Sequence, residues 1–384
     1  MNYQAIQKKL IKKLLLTKIV EVAFFLFFAT ISLQLVNGQS KKKPNIVFIV
    51  IDDLNDFPEG FYGHPQAKTP HIKALGNSGV RFKNAYSNNP MCGPSRASLF
   101  TGVYPHNSSH FWMKPWLEND VLINTKTIME KFKESGYYVV GSGKVLHHNK
   151  LDVWTEYKYK ADYSPFVYAG DYNSEKKPIS HPDVPAPFRT NRIVDGLNMG
   201  GGFIDGYYDD AVEKNGNHTP AGVLRGGKYS LFEAGTRVPF ITYWKGKIMP
   251  KKSNSLVSQL DLFSSLAKLT GSDLRAYDSI DLMDTFMGKS DQGRSELILE
   301  ATTRTAFRSG DWVMIPPYRG PAVLKAVNIE IANSQKYQLY NLSNDISQKV
   351  NLAESEPEKL QEMNSRFTEI RGEGYNQIKK LELK

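Results

Sequence analysis

Asn45 to Ile51 (NIVFIVI) is an unbroken apolar, β-branched run that stops at Asp52-Asp53. A strand with apolar side chains on both faces needs cover on both sides, as in the parallel sheets of α/β proteins. The run therefore predicts a fully buried strand with two carboxylates at its carboxyl end. Helix and strand patterns alternate after it. Thr127 to Ser135 has helical spacing with Gly136 as its stop, and Tyr137 to Val140 reads as a short strand ending at Gly141-Ser142-Gly143-Lys144. Val238 to Tyr243 reads as a further strand and Leu260 to Leu269 as an amphipathic helix. This alternation predicts an α/β fold, a mostly parallel or mixed sheet sandwiched by helices.

From about Ala301 the texture changes. Phe307 to Trp312 and Tyr337 to Leu342 read as strands of a smaller antiparallel sheet, and Glu356 to Ile370 as a charged helix. The expected organisation is a catalytic domain over 40–295 and a smaller C-terminal α+β domain over 296–384. Leu151 to Gly206 is rich in Tyr, Pro, Gly and Asn and has little periodicity, which is unusually long for a loop inside a compact domain.

The first 39 residues read as a signal peptide. Lys8, Lys9, Lys12, Lys13 and Lys18 precede the apolar stretch Val22 to Val36, and Asn37 to Ser40 offer a cleavage site. The layout predicts a secreted or periplasmic protein with no stable membrane insertion after cleavage. Left uncleaved, the same stretch would be an anchor. No second apolar run reaches the roughly 18 residues of a spanning helix. The net charge is +10, but five of those lysines sit in the leader and Lys41 to Lys43 follow it. Without a dense basic stripe no nucleic-acid partner is expected. The remaining charge suits either a solvated surface or an anionic substrate.

The chain has one cysteine, Cys92, so no intramolecular disulfide can form. Pro94 suits the first turn of a helix, and Ser95 to Phe100 continue it up to Gly102. Cys92 then stands at a helix N-terminus, where backbone N–H groups favour an anion, with Arg96 one turn on. A guanidinium there can grip sulfate or phosphate, or steady a nucleophile. Asp52 and Asp53 fit a hard divalent cation with oxygen ligands, and equally a loop with two exposed acids. A soft thiolate suits such a cation poorly, so an oxygen species at position 92 is the more sensible chemistry.

Cys92-Gly93-Pro94-Ser95-Arg96 resembles the Cys-x-Pro-Ser-Arg signature of type I sulfatases, within the alkaline-phosphatase-like superfamily. Pro44 to Asp53, Thr69-Pro70-His71-Ile72, Gly79-Val80-Arg81-Phe82 and Ala85-Tyr86 resemble the family's opening. Gly143-Lys144-Val145-Leu146-His147 resembles its Gly-Lys-x-x-His element. Leu224 to Phe240, with Arg225-Gly226-Gly227-Lys228, resembles a further block, and Tyr340 to Ala353 the final segment. The resemblance implies hydrolysis of a sulfate ester of an extracellular carbohydrate or aryl alcohol. It implies conversion of Cys92 to formylglycine by a formylglycine-generating or sulfatase-maturing enzyme. It implies catalytic roles for Cys92, Arg96, Lys144, His147 and Lys228. It implies calcium, with magnesium as the other hard cation, held by Asp52, Asp53, the converted Cys92 and Asn215. His106 and His148 are expected to be structural.

One part of the pattern breaks. The family carries a helix and then a strand ending in Asp-Asn-Gly or Asp-His-Gly. Here Tyr207-Tyr208-Asp209-Asp210-Ala211-Val212 runs within a few residues into Lys214-Asn215-Gly216-Asn217-His218. Lys214 stands where an Asp is expected, and a core segment is missing near 205–215. Asp205, Asp209 or Asp210 are candidate substitutes for the lost ligand, and His181 for a second active-site histidine. Two readings stay open: a sulfatase, or a truncated, catalytically weak or inactive relative that binds sulfated glycan. A phosphatase or phosphodiesterase on the same fold is disfavoured, because those enzymes use Ser or Thr where this chain has Cys92.

Overall fold

The computed structural model describes residues 8–9, 12–25, 43–52, 54, 61, 68–147, 151–160, 167–168, 178–179, 221–272, 277–324 and 329–372. The chain divides into two units, Met1–Ile49 and Val50–Lys384. In the first, residues 12–25 form a helix whose apolar side chains, such as Phe25 at 78%, are exposed. Among the described residues no helix is long and apolar enough to cross a membrane.

The second unit is built around the strand Val80–Tyr86. It lies between Phe240–Thr242, which is antiparallel to it, and Lys251–Ser258, which is parallel. Phe82 sits opposite Phe240 in the ladder, and its ring meets Phe240 at 5.2 Å and Phe286 at 5.8 Å. The helices Cys92–Thr101, Ile128–Glu134 and Leu262–Thr270 bury Ala97, Leu99, Phe100, Ile128, Met129 and Phe263 in the same core. The second core lies against a four-stranded antiparallel sheet ordered Gln338–Asn341, Trp312–Ile315, Arg304–Ser309, Glu296–Ala301. The C-terminal helix Pro357–Arg371 presses Met363 and Phe367 into it.

Several elements stand where the sequence places them, for visible reasons. The Ile128–Glu134 helix opens on a reciprocal capping box between Thr127 and Glu130, and Gly136 follows it with φ 77°. Leu260 to Leu269 appears as a 3₁₀ turn, Gln259–Asp261, running into the Leu262–Thr270 helix. The predicted Glu356–Ile370 helix is observed as Pro357–Arg371. The predicted strand Val238–Tyr243 is trimmed to Phe240–Thr242.

Other elements differ. Residues 45–51 carry no strand, and Val47, Ile49 and Ile51 are 83%, 73% and 51% exposed. A strand persists through its ladder to a neighbour, and among the described residues none pairs with this segment. Val50 packs on the first core. The strand expected at Tyr137 to Val140 is instead Val140–Gly143, because its register is set by a parallel partner, Glu156–Lys160, that periodicity did not reveal. Phe307 to Trp312 is not one strand but the end of Arg304–Ser309, a turn at Gly310 with φ 55°, and the start of Trp312–Ile315.

Both cores meet at one buried carboxylate. Glu233, 1% exposed, accepts from the Tyr86 hydroxyl at 2.6 Å and from Arg237 Nε at 2.7 Å, with Arg308 at 3.9 Å. Arg237 also donates to the Lys83 carbonyl at 2.5 Å and the Asn84 side chain at 2.8 Å. Arg308 donates to the Tyr86 hydroxyl and, at 2.8 Å, to the Gly310 carbonyl. Burial by itself pushes the Glu233 carboxyl up, but Arg237 and Arg308, with the Tyr86 and Arg237 hydrogen bonds, hold it below its ordinary value of 4.5.

A carboxyl held low in the folded state stabilises the fold above its unfolded pKa, and that stability is lost as pH falls through the folded value. Glu233→Gln removes the buried carboxylate that faces both Arg237 and Arg308, and should lower unfolding free energy by roughly 3 kcal/mol at pH 7. The gap between wild type and variant should narrow below about pH 4. Urea titrations at pH 7 and pH 3.5 measure it, and an unchanged gap at acid pH would contradict the assignment.

Candidate active site

Cys92 opens a ten-residue helix, Cys92–Thr101. Pro94 lies in its first turn, where a missing N–H removes no helical bond. Gly102 closes it in the left-handed region at φ 69°, its N–H donating to Ser98 O at 2.9 Å. Nearly every residue of the helix is buried, and Cys92 itself is 6% exposed. The Gly93 N–H at the open end donates to Met113 Sδ at 3.3 Å.

Arg96 returns one turn later and binds three acceptors. It donates to Asp52 Oδ1 at 2.7 Å, to the Lys144 carbonyl at 2.5 Å and to the Val145 carbonyl at 2.9 Å. The Lys144 ammonium pairs with Asp52 Oδ2. One guanidinium thus draws the Asp52 carboxylate and the Gly143–His147 segment onto the Cys92 helix. Burial raises the Asp52 carboxyl, yet Arg96 and Lys144 outweigh it and hold it below its ordinary 3.8.

Lys228 reaches the site through backbone. The Tyr229 N–H donates to Pro90 O at 3.2 Å, two residues before Cys92, and Tyr229 adopts φ 75°. Its carbonyl accepts from Arg304 at 3.1 Å, and Arg304 also donates to Ile331 O at 2.6 Å and Asn333 Oδ1 at 2.7 Å. The loop carrying Lys228 lies close against the turn Glu233–Thr236: a Cβ at Gly235 would stand 2.2 Å from Ser230 O and 2.8 Å from Gly227 O. Only glycine permits that approach.

Of the residues expected at the site, Asp52, Arg96 and Lys144 are in direct contact. Lys228 is tied beside Pro90. His147 is half-buried on the bend that follows Lys144. Asp53, His148, His181, Asp205, Asp209, Asp210, Lys214 and Asn215 lie outside the described residues. His106 is structural, as expected: it is 4% exposed, stacks on Tyr104 at 5.0 Å and faces Glu300 at 2.9 Å. Sequence reasoning missed Gln259, whose amide donates to Ser95 O at 2.9 Å, and Arg304 and Met113. None carries a local pattern; their partners are 164, 75 and 20 residues away in the chain.

Of the residues expected to hold a divalent cation, Asp52 and Cys92 are described and Asp53 and Asn215 are not. Among the described residues no group of three His, Cys, Asp or Glu side chains could hold one. Asp52 offers one carboxylate, and both its oxygens already accept from a cation. A calcium ion takes six to eight oxygens.

Comparison with solved structures gives the class. A Bacteroides thetaiotaomicron structure described as BT33336S-sulf, from the metabolism of multiple glycosaminoglycans, superposes with TM-score 0.67. It is 24% identical and covers 86% of this chain and 100% of its own. The fold is alkaline-phosphatase-like α/β. A family model described as Sulfatase matches residues 44–215 and 207–272, so the chain belongs to the sulfatase family, whose members are sulfuric ester hydrolases. It is similar to the N-acetylgalactosamine-6-O-sulfatase of Bacteroides thetaiotaomicron, with 26% identity over 87% of this chain and 94% of the relative. It is similar also to an ulvan-active sulfatase of Formosa agariphila, with 27% identity over 60% of this chain and 55% of the relative. The first alignment runs to 483 positions while drawing on 87% of a 384-residue chain, so well over a hundred of them lie opposite gaps in this chain.

The Arg96 fork yields a test. Lysine keeps the charge but cannot serve Asp52, Lys144 O and Val145 O from one planar group. Arg96→Lys should lower stability by about 2 kcal/mol through unmade buried bonds. Chemical denaturation measures this, and a variant as stable as wild type would show that the fork does not hold the site together.

Proposed function

We propose that this protein removes sulfate from an extracellular sulfated carbohydrate or aryl sulfate through Cys92 converted to formylglycine. The observation that carries the reading is Cys92 at a buried helix N-terminus, with Arg96 one turn on binding Asp52 and the Lys144 backbone. Converted, residue 92 supplies the oxygen nucleophile at sulfur. Lys144 and Lys228 stabilise charge on the sulfuryl oxygens, and Arg96 holds Asp52 and the Lys144 backbone in place. His147 holds or moves a proton at the leaving oxygen. The carbohydrate class is supported by the names of the relatives, which act on N-acetylgalactosamine 6-sulfate and ulvan.

The maturation enzyme is the implied partner. The burial of residue 92, 6% exposed, supports conversion before folding. Export is supported by the basic cluster Lys8 to Lys18 followed by apolar 22–36. A boundary near 295 is supported by the antiparallel sheet that begins at Glu296. A core segment absent near 205–215 is supported by the family match falling into two pieces that meet at 207–215. With Lys214 in the expected Asp position, a calcium shell of Asp52, Asp53, residue 92 and Asn215 lacks one carboxylate.

Co-expression with a maturation enzyme, followed by mass spectrometry of the Cys92 peptide and assays of sulfate release, tests this. N-acetylgalactosamine 6-sulfate, ulvan and an aryl sulfate are suitable substrates. Conversion with sulfate release is expected, and Cys92→Ala should reduce the rate by about 10³-fold or more. Complete conversion with no release from any substrate would instead support a glycan-binding protein.

A further inference from the structure

We propose that Trp112 is the stacking platform for the sugar ring that carries the scissile sulfate, with Lys114 beside it for an anionic group on the same glycan. The inference rests on the sulfatase reading of the Cys92 pocket and adds to it a carbohydrate subsite.

Of the five tryptophans, Trp116 and Trp154 are buried and Trp244 and Trp312 half-buried, whereas Trp112 is 55% exposed. An exposed indole contributes little to a core, and here it is held out by a loop pinned on both sides. Phe111 is 5% exposed and Trp116 is 3% exposed. The loop is closed at its neck, where Asn119 Nδ2 donates to Ser108 O at 2.9 Å, and Ser109 turns the chain with φ 58°. Asn119 also caps the following helical turn through its side chain, accepting from Val121 and Leu122 N–H at 3.0 Å.

The same loop is fastened to the nucleophile. Met113 Sδ accepts from Gly93 N–H at 3.3 Å. A Cβ at Gly93 would stand 3.0 Å from Met113 Sδ and 3.5 Å from both Met113 Cα and Trp112 O. The Trp112–Met113 backbone therefore lies against the residue next to Cys92. Lys114, exposed, follows. Trp112 thus stands one residue from the Gly93 contact, where an exposed indole offers a flat apolar face to a pyranose, and prior ordering of the loop lowers the entropy lost on binding.

The test is calorimetric binding to full-length protein made without a maturation enzyme, so that nothing turns over. The ligands are N-acetylgalactosamine 6-sulfate and, separately, inorganic sulfate. Trp112→Ala should weaken the sugar sulfate on the order of tenfold or more, the scale of one lost ring-stacking contact. It should leave inorganic sulfate unchanged, and Trp112→Phe should recover most of the loss. Equal affinity of wild type and Trp112→Ala for the sugar sulfate overturns the platform and leaves the sulfate pocket standing. Self-association abolished by Trp112→Ala with sugar binding unchanged overturns it in favour of a protein contact. Wild type that binds neither ligand overturns the pocket reading and the platform together.

Discussion

The Glu233 carboxylate joins the two halves of the described fold. It is fully desolvated, and an uncompensated charge in that position would not be tolerated, so its partners are fixed with it. Tyr86 comes from the central strand of the first sheet. Arg308 comes from the antiparallel C-terminal sheet, and Arg237 lies one turn from Glu233 itself. The Glu233 N–H is bound by the Gln348 side chain at 2.8 Å, which brings in the segment after the last strand. The stretch between Arg225 and Arg237 has little freedom left, and Lys228 sits within it. The geometry of the Lys228 loop therefore depends on a carboxylate that is itself buried in the core.

The active-site side follows the same logic in miniature. Asp52 is drawn in by two cations, and Arg96 gives its other terminal nitrogen to backbone carbonyls of the segment bearing Lys144 and His147. A planar five-donor group suits that task because it binds several acceptors at fixed angles. The cysteine opens the helix that carries Arg96, so one element fixes the position of both. Arg304 works from the far sheet, bracing the left-handed Tyr229 through its carbonyl. Charged groups around the site thus divide into those that face the reacting centre and those that hold its backbone.

Legibility tracked the range of the interaction concerned. The Thr127 to Gly136 helix was readable because its capping box and glycine stop lie within ten residues. The Cys92 helix was readable from Pro94 and Gly102. The strand at Val140–Gly143 was read three residues early, because its register belongs to Glu156–Lys160, a partner with no clear alternation. The Phe307 to Trp312 run reads as one strand, whereas the pairing of its two ends across Gly310 makes it a hairpin turn. The apolar run 45–51 promised a buried strand, but a strand requires a neighbour as well as a composition, and the described residues contain none for it.

The local order of residues by itself determined the helix that starts at Cys92, the placement of Arg96 one turn on, the α/β class and the family signature. Each depends on contacts within a few residues or on a motif written contiguously. Only the tertiary structure decided that Arg96 binds Asp52 and the Lys144 carbonyl, that Tyr229 ties the Lys228 loop to Pro90, and that Glu233 joins two sheets. It alone revealed that Trp112 stands exposed between two buried aromatic residues. Those contacts join residues far apart in the chain, and burial and hydrogen-bond satisfaction select them only once the elements have packed.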